Sequence, residues 1–187
     1  MARYIAFLRG INVGGARIVK MDALRQAFEP LGFSAVSTFI ASGNVIFETS
    51  IGKTDTLEAL IRERLEAALG YEVAAFVRSD GELAGIAAYK AFPPSKMNAA
   101  SELGIVFLAM ALDAKTRRKV IALTTKTDEF QVHGRQIYWL RRKGPGTVYS
   151  TVPLDKVLGR PITIRSSRTI NKLVEKYSTV GTDRSRA

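Results

Sequence analysis

Strand-like and helix-like periods alternate along this chain in the order β-α-β-β-α-β, and then do so a second time, within only 187 residues. Few folds accept that pattern twice in so short a length. Residues 3–9 read as a strand ended by Gly10 and the pair Gly14-Gly15. Met21, Leu24, Phe28 and Leu31 recur at helical spacing, with Gly32 as the stop. Phe33 to Ile40 and Val45 to Phe47 form a hairpin across the turn Ala41-Ser-Gly-Asn44. Leu57, Ile61, Leu65 and Leu69 mark a second helix, which Gly70 closes. Asp55 and Glu58 stand at capping-box spacing near its start. Glu72 to Arg78 is the fourth strand.

The second half follows the same order without evident sequence repetition. Gly104 to Met110 is a strand, and Asp113 caps a helix ending near Leu123. Phe130 to His133 and Gln136 to Arg141 make a hairpin across Gly134. Pro153 to Leu158 is a short helix stopped by Gly159, Ile162 to Arg165 is the last strand, and a final helix follows, with Ser167 as no more than its cap if the arginines beside it are only solvated. The fold class predicted is α+β, two ferredoxin-like subdomains packed together. Their expected bounds are 1–80 and 104–180, with a helical linker over 81–103 and a mobile tail over 181–187. Both faces of the strands are apolar. Ala6, Leu8, Val45 and Phe47 take one face of the first sheet, while Phe7, Phe39, Ile46 and Phe76 take the other. An apolar face of that size is rarely left wet. The open faces are therefore expected to cover each other, or to meet a second copy of the chain in a homodimer.

Composition removes whole classes of chemistry. The chain has no cysteine, which excludes disulfides, thiol nucleophiles and thiolate metal sites and favours a cytoplasmic location. A single histidine, His133, sits beside Gly134 and reads as a turn residue. No metal site, cofactor or catalytic residue is assigned. No apolar run suits a membrane span, and the N-terminus lacks the pattern of a signal peptide. The formal net charge is +11, and all of the excess lies after residue 80. Between Arg135 and Lys172 there are nine basic residues against the single acid Asp155, an asymmetry that suits a polyanion such as nucleic acid. Trp139 reads as core rather than as a base-stacking platform, although Arg141-Arg-Lys143 and Tyr149 surround it in sequence.

The most distinctive stretches are Phe7-Leu-Arg-Gly-Ile-Asn-Val-Gly-Gly15 and Thr38-Phe-Ile-Ala-Ser-Gly-Asn44, the latter continuing into Val45-Ile-Phe47. They resemble the domain-of-unknown-function family 1697, whose members open with an FLRGINVGG-type motif and carry a matching hairpin. A third stretch, Thr163-Ile-Arg-Ser-Ser-Arg-Thr169, is similar to the family's C-terminal pattern, with Ser166 where an asparagine is usual. The resemblance implies two ferredoxin-like subdomains and no particular activity.

Two places could receive an anion. Arg9, Asn12, Gly14 and Gly15 lie between a strand and a helix, where backbone N–H groups can cradle a negative group. Alternatively the glycines only make the turn, and Arg9 and Asn12 hydrogen-bond the neighbouring Ser42–Asn44 turn. Arg165, Arg168, Thr169 and Lys172 cluster where the last strand meets the last helix, a second arrangement suited to phosphate or carboxylate. The reading preferred from sequence is a small phosphorylated or carboxylated ligand at a cleft between the subdomains. It is held by Arg9, Asn12, Gly14, Gly15, Lys20, Ser42 and Asn44 from one side and the Arg165–Lys172 cluster from the other. The alternative is nucleic-acid binding through the basic half.

Overall fold

In the computed structural model, which describes residues 1–12, 18–100, 102–142 and 152–177, β1 (Ala2–Leu8) runs through the middle of a four-stranded sheet. It is followed by α1 (Met21–Phe28) with a 3-10 turn over Glu29–Leu31, β2 (Ser34–Thr38), β3 (Asn44–Thr49), α2 (Thr54–Leu69) and β4 (Ala75–Ser79). The strand order is β2-β3-β1-β4, antiparallel throughout. This is the plait that β-α-β-β-α-β produces when each helix crosses the same face. Ala6 pairs with Val45 and Tyr4 with Phe47, and these side chains pack beneath Leu24, Phe28, Leu57 and Ile61 of the two helices.

After α3 (Asp80–Ala88) and α4 (Pro94–Asn98) the pattern is repeated. β5 (Glu102–Phe107), α5 (Ala114–Ile121), β6 (Asp128–His133), β7 (Gln136–Arg141), α6 (Leu154–Leu158) and β8 (Thr163–Ser166) give a sheet ordered β6-β7-β5-β8. Its core joins Val106, Phe130, Ile137 and Trp139 to Val120 and Leu154. Trp139 is core, and its Nε1–H donates to the buried Asp128 carboxylate at 2.7 Å. The described residues end in α7 (Ser167–Tyr177). Internal contacts divide it into one unit of Met1–Ala84 with Leu173–Ala187 and a second of Gly85–Lys172, so both boundaries fall inside helices, α3 and α7. Residues 181–187, expected as a tail, lie outside the described residues. Among the described residues no helix is long and apolar enough to cross a membrane.

The second faces are also covered. Phe7, Ile46 and Phe76 are buried within a single chain, which requires no second copy. Phe39 is half-buried and meets Tyr177 edge-on at 6.2 Å. Asp113 caps α5 as expected, accepting from the Thr116 N–H at 2.8 Å. The capping box of α2 does not form. Glu58 instead accepts the Val77 N–H at 2.8 Å and lies 3.6 Å from the Arg78 guanidinium. β4 is a sheet edge, and an edge N–H beside a buried cation is a stronger claim on a carboxylate than an exposed helix end.

A sequence repeat emerges once the strands are aligned by register. Arg78 sits opposite Ile5 on the first sheet, and Arg165 sits opposite Ile105 on the second. Both arginines are buried, and each donates an NH1 proton to the carbonyl just before it, Val77 or Ile164. The serine after each arginine caps the next helix: Ser79 Oγ accepts from Glu82 N–H and Ser166 Oγ from Thr169 N–H. The cap thus falls on Ser166, one residue before the candidate cap Ser167. Val77-Arg-Ser-Asp-Gly-Glu-Leu83 and Ile164-Arg-Ser-Ser-Arg-Thr-Ile170 are therefore two copies of one strand-to-helix corner.

In the first unit the two distinctive motifs lock together. Leu8 N–H bonds the Gly43 carbonyl at 2.8 Å, and Gly43 has φ +69°. A Cβ at that position would lie 3.0 Å from Ile11 Cβ and 3.1 Å from Leu8 Cβ. Gly43→Ala combines a left-handed backbone with a steric overlap, and should cost on the order of 2–4 kcal/mol. Urea unfolding measures this directly. A loss below about 0.5 kcal/mol, the size of an ordinary surface change, would show that the segments do not interlock.

Candidate functional site

The polar residues of the first motif are held by their own loops. Asn12 adopts φ +55° and spans its loop with both ends of its amide, Nδ2 donating to Val19 O at 3.0 Å and Oδ1 accepting from Val19 N–H at 2.7 Å. Asparagine tolerates that backbone conformation better than most residues. The expected bond from Asn12 to the Ser42–Asn44 turn is thus replaced by one to Val19, because the neighbour of that turn is the apolar Ile11. Asn44 is fully buried, and its Nδ2 donates to Phe39 O at 3.0 Å and to Ser42 Oγ at 2.9 Å. Arg9 and Lys20 are exposed, and Gly14 and Gly15 lie outside the described residues.

The second cluster belongs to the other unit and is less uniform. Arg165 is buried, and its NH1 turns back along its own strand to Thr163 Oγ1 at 2.8 Å and Ile164 O at 2.9 Å. Burial pulls its pKa down to about 10. Thr169 is tied to the cap, its hydroxyl 3.0 Å from Ser166 Oγ. Arg168 and Lys172 are exposed, and no hydrogen bond or ion pair occupies the Arg168 guanidinium among the described residues.

Two adjoining cavities of this unit give the cluster a place to act. One, of about 430 Å³, is lined by Ser166, Ser167 and Arg168 from the start of α7, with Met97, Leu103 and Glu102. The other, of about 640 Å³, shares Met97, Leu103 and Ser167 with it and extends beneath residues 86–98. Sequence reasoning treated that stretch as linker. The signal was Pro93-Pro94, since proline favours the first turn of a helix, and Pro94 opens α4. The Ser166 corner of the smaller cavity differs from its copy in the first unit. There Glu82 closes the helix start, accepting the Ser79 N–H at 2.9 Å. Thr169 stands at the corresponding place, so the α7 start has no carboxylate of its own. Glu102 lines the same cavity and is paired with Arg141 at 3.5 Å.

Part of the basic run is engaged within this unit, while Lys156, Arg168 and Lys172 are exposed. Arg141 also stacks over Trp139 at 3.6 Å, and Arg142 pairs with Glu129 at 2.7 Å. A bond from Lys96, together with that pairing, holds the Glu129 carboxyl below its ordinary range. Lys143 and Tyr149 lie outside the described residues. His133 is exposed at its hairpin and stacks on Tyr89 at 4.0 Å. No three His, Asp or Glu side chains gather to hold a metal among the described residues.

Tyr138 forms part of the larger cavity. Its buried hydroxyl donates to Ile86 O at 3.1 Å, and burial, with a smaller contribution from Tyr89, pushes the phenol up. An acid whose folded pKa is raised favours folding while it stays protonated, and loses that contribution once the unfolded phenol ionises above about pH 10. Wild type should therefore lose stability relative to Tyr138→Phe above that pH, by up to about 1.4 kcal/mol per pH unit. Urea unfolding of both proteins at stepped alkaline pH checks this, and parallel curves would contradict it.

No curated protein matches the chain. Among solved structures, the conserved bacterial protein SP0830 from Streptococcus pneumoniae is similar at 24% identity and TM-score 0.70, over 94% of this chain and 98% of that one. This likeness shows the fold. The family described as "Protein of unknown function (DUF1697)" matches residues 1–138, and so stops within β7, short of Ser166 and α7. Since that match takes in both distinctive motifs and well over half of the sequence, the chain belongs to this family.

Proposed function

We propose that the chain binds a small anion, a phosphate ester or carboxylate, at the start of α7, with Arg168 as its charged partner and Ser167 as a hydroxyl donor. The observation that carries this reading is the contrast between the two Arg-Ser corners. The first is closed by Glu82, whereas the second opens onto a cleft with an exposed, unengaged guanidinium among the described residues. The first-turn N–H groups carry the positive end of the helix dipole. A guanidinium pairs with phosphate and carboxylate through two parallel bonds. Lys172, one turn further along α7, adds positive potential, and the Glu102 charge is answered by Arg141. The reading does not draw on Asn12 or Asn44, whose amides hold their own loops.

A second reading, nucleic-acid binding, is favoured by one feature. α5 exposes Lys115, Arg117, Arg118 and Lys119 and has no acid along its length. A row of solvated cations on one short helix suits a phosphate backbone.

Thermal unfolding separates the two. Inorganic phosphate at about tenfold excess over its Kd should raise Tm by about 3–5 °C against a chloride control of equal ionic strength. Arg168→Ala should remove most of that rise. No phosphate-specific shift in wild type, or an equal shift in Arg168→Ala, would contradict the proposal. A shift with a single-stranded oligonucleotide and none with phosphate would favour the second reading.

A further inference from the structure

We propose that the ligand is amphiphilic, an anionic head joined to an apolar, aromatic-sized body, and that the body occupies the larger cavity beneath residues 86–98. This rests on the small-anion reading above and names the class of molecule that the same site would take. The two cavities share Met97, Leu103 and Ser167 among their walls, so a head beside Arg168 stands next to the second space.

The floor of that space is apolar for a reason rooted in the strand pattern. Ile105 and Tyr138 are paired neighbours on β5 and β7, on the sheet face opposite Trp139. Both are buried, as is Phe92 from the segment above them. The Tyr138 hydroxyl is already engaged by Ile86 O, so it leaves no free hydroxyl on the floor. Tyr89 lies against that ring at a centroid distance of 5.0 Å, and Met97 supplies a side chain that adapts to irregular shapes. Its polar side chains are Ser167 and Asn171, one turn apart on α7, with Lys90 and Asn98 on the covering segment.

A volume of about 640 Å³ falls within the range of small-molecule sites. An inorganic anion would leave this space unused, and a fully polar ligand would meet no partners on its floor. An apolar body fills it, and each Å² removed from water favours binding.

Titration calorimetry with inorganic phosphate, phenyl phosphate and 2-naphthyl phosphate tests the inference. Phenyl phosphate should bind at least about tenfold more tightly than inorganic phosphate, and 2-naphthyl phosphate more tightly again. Asn171→Trp places a large ring at an exposed helix position that lines only the larger cavity. It should abolish the advantage of the aryl esters while leaving inorganic phosphate affinity within about twofold. Should that variant fail to fold, Ala91→Trp makes the same test from the covering segment. Equal, measurable affinities for the three ligands on wild type, or an aryl advantage that survives both substitutions, would overturn this inference and leave the small-anion reading standing. Undetectable binding of all three would overturn both.

Discussion

Each sheet of this protein ends on a strand whose arginine is buried and whose next residue, a serine, starts a helix. A buried guanidinium is costly unless its N–H groups find acceptors, and here the strand's own carbonyl provides one in both units. The pinned arginine fixes the end of the strand. The serine then caps the helix one residue later, so the angle between strand and helix is set by two adjacent side chains. α3 and α7 both grow from this corner, and the larger cavity is lined in part by the residues that follow it.

Duplicated corners make a difference between them informative. In the first, Glu82 completes the cap with its carboxylate, which satisfies one more N–H and neutralises the helix end. In the second, Thr169 engages the capping serine but brings no charge. Arg168 takes the place that Gly81 holds in the first copy. The replacement of two acids, Asp80 and Glu82, and of one glycine turns a closed helix start into a positive one beside a cleft. The distinctive N-terminal motif has a different part: Gly43 against Leu8 and Ile11, and Asn12 across its loop, are constraints of packing and backbone geometry.

The architecture was legible because period and punctuation agreed. Short continuous apolar runs in Tyr4–Leu8 and Ile137–Leu140, with Gly32, Gly70, Gly134 and Gly159 at the stops, suffice to order the strands and helices. The candidate site was less legible. Alternation places Arg165 on a face but does not say that the face is buried, so its guanidinium looked available when it is folded back on Thr163. Glu58 stood at cap spacing, yet the pull of an edge-strand N–H and of Arg78 is a tertiary effect that spacing cannot carry. The segment over 86–98 looked like a connection, because the wall of a cavity is defined by what lies across from it. The repeated Arg-Ser pair was present in the sequence, but it acquires meaning only when the strands are set in register.

The central proposal is that an anion binds at the α7 corner of the second unit, while the N-terminal motif is architectural. Backbone amide shifts of isotopically labelled protein, followed by NMR during titration with phenyl phosphate, address it residue by residue. The account predicts saturable shifts at Leu103 and at Ser166 to Thr169, with Arg9 to Asn12 and Ser42 to Asn44 unmoved. Saturable shifts centred on Arg9 to Asn12 and Ser42 to Asn44, with the α7 corner silent, would contradict it.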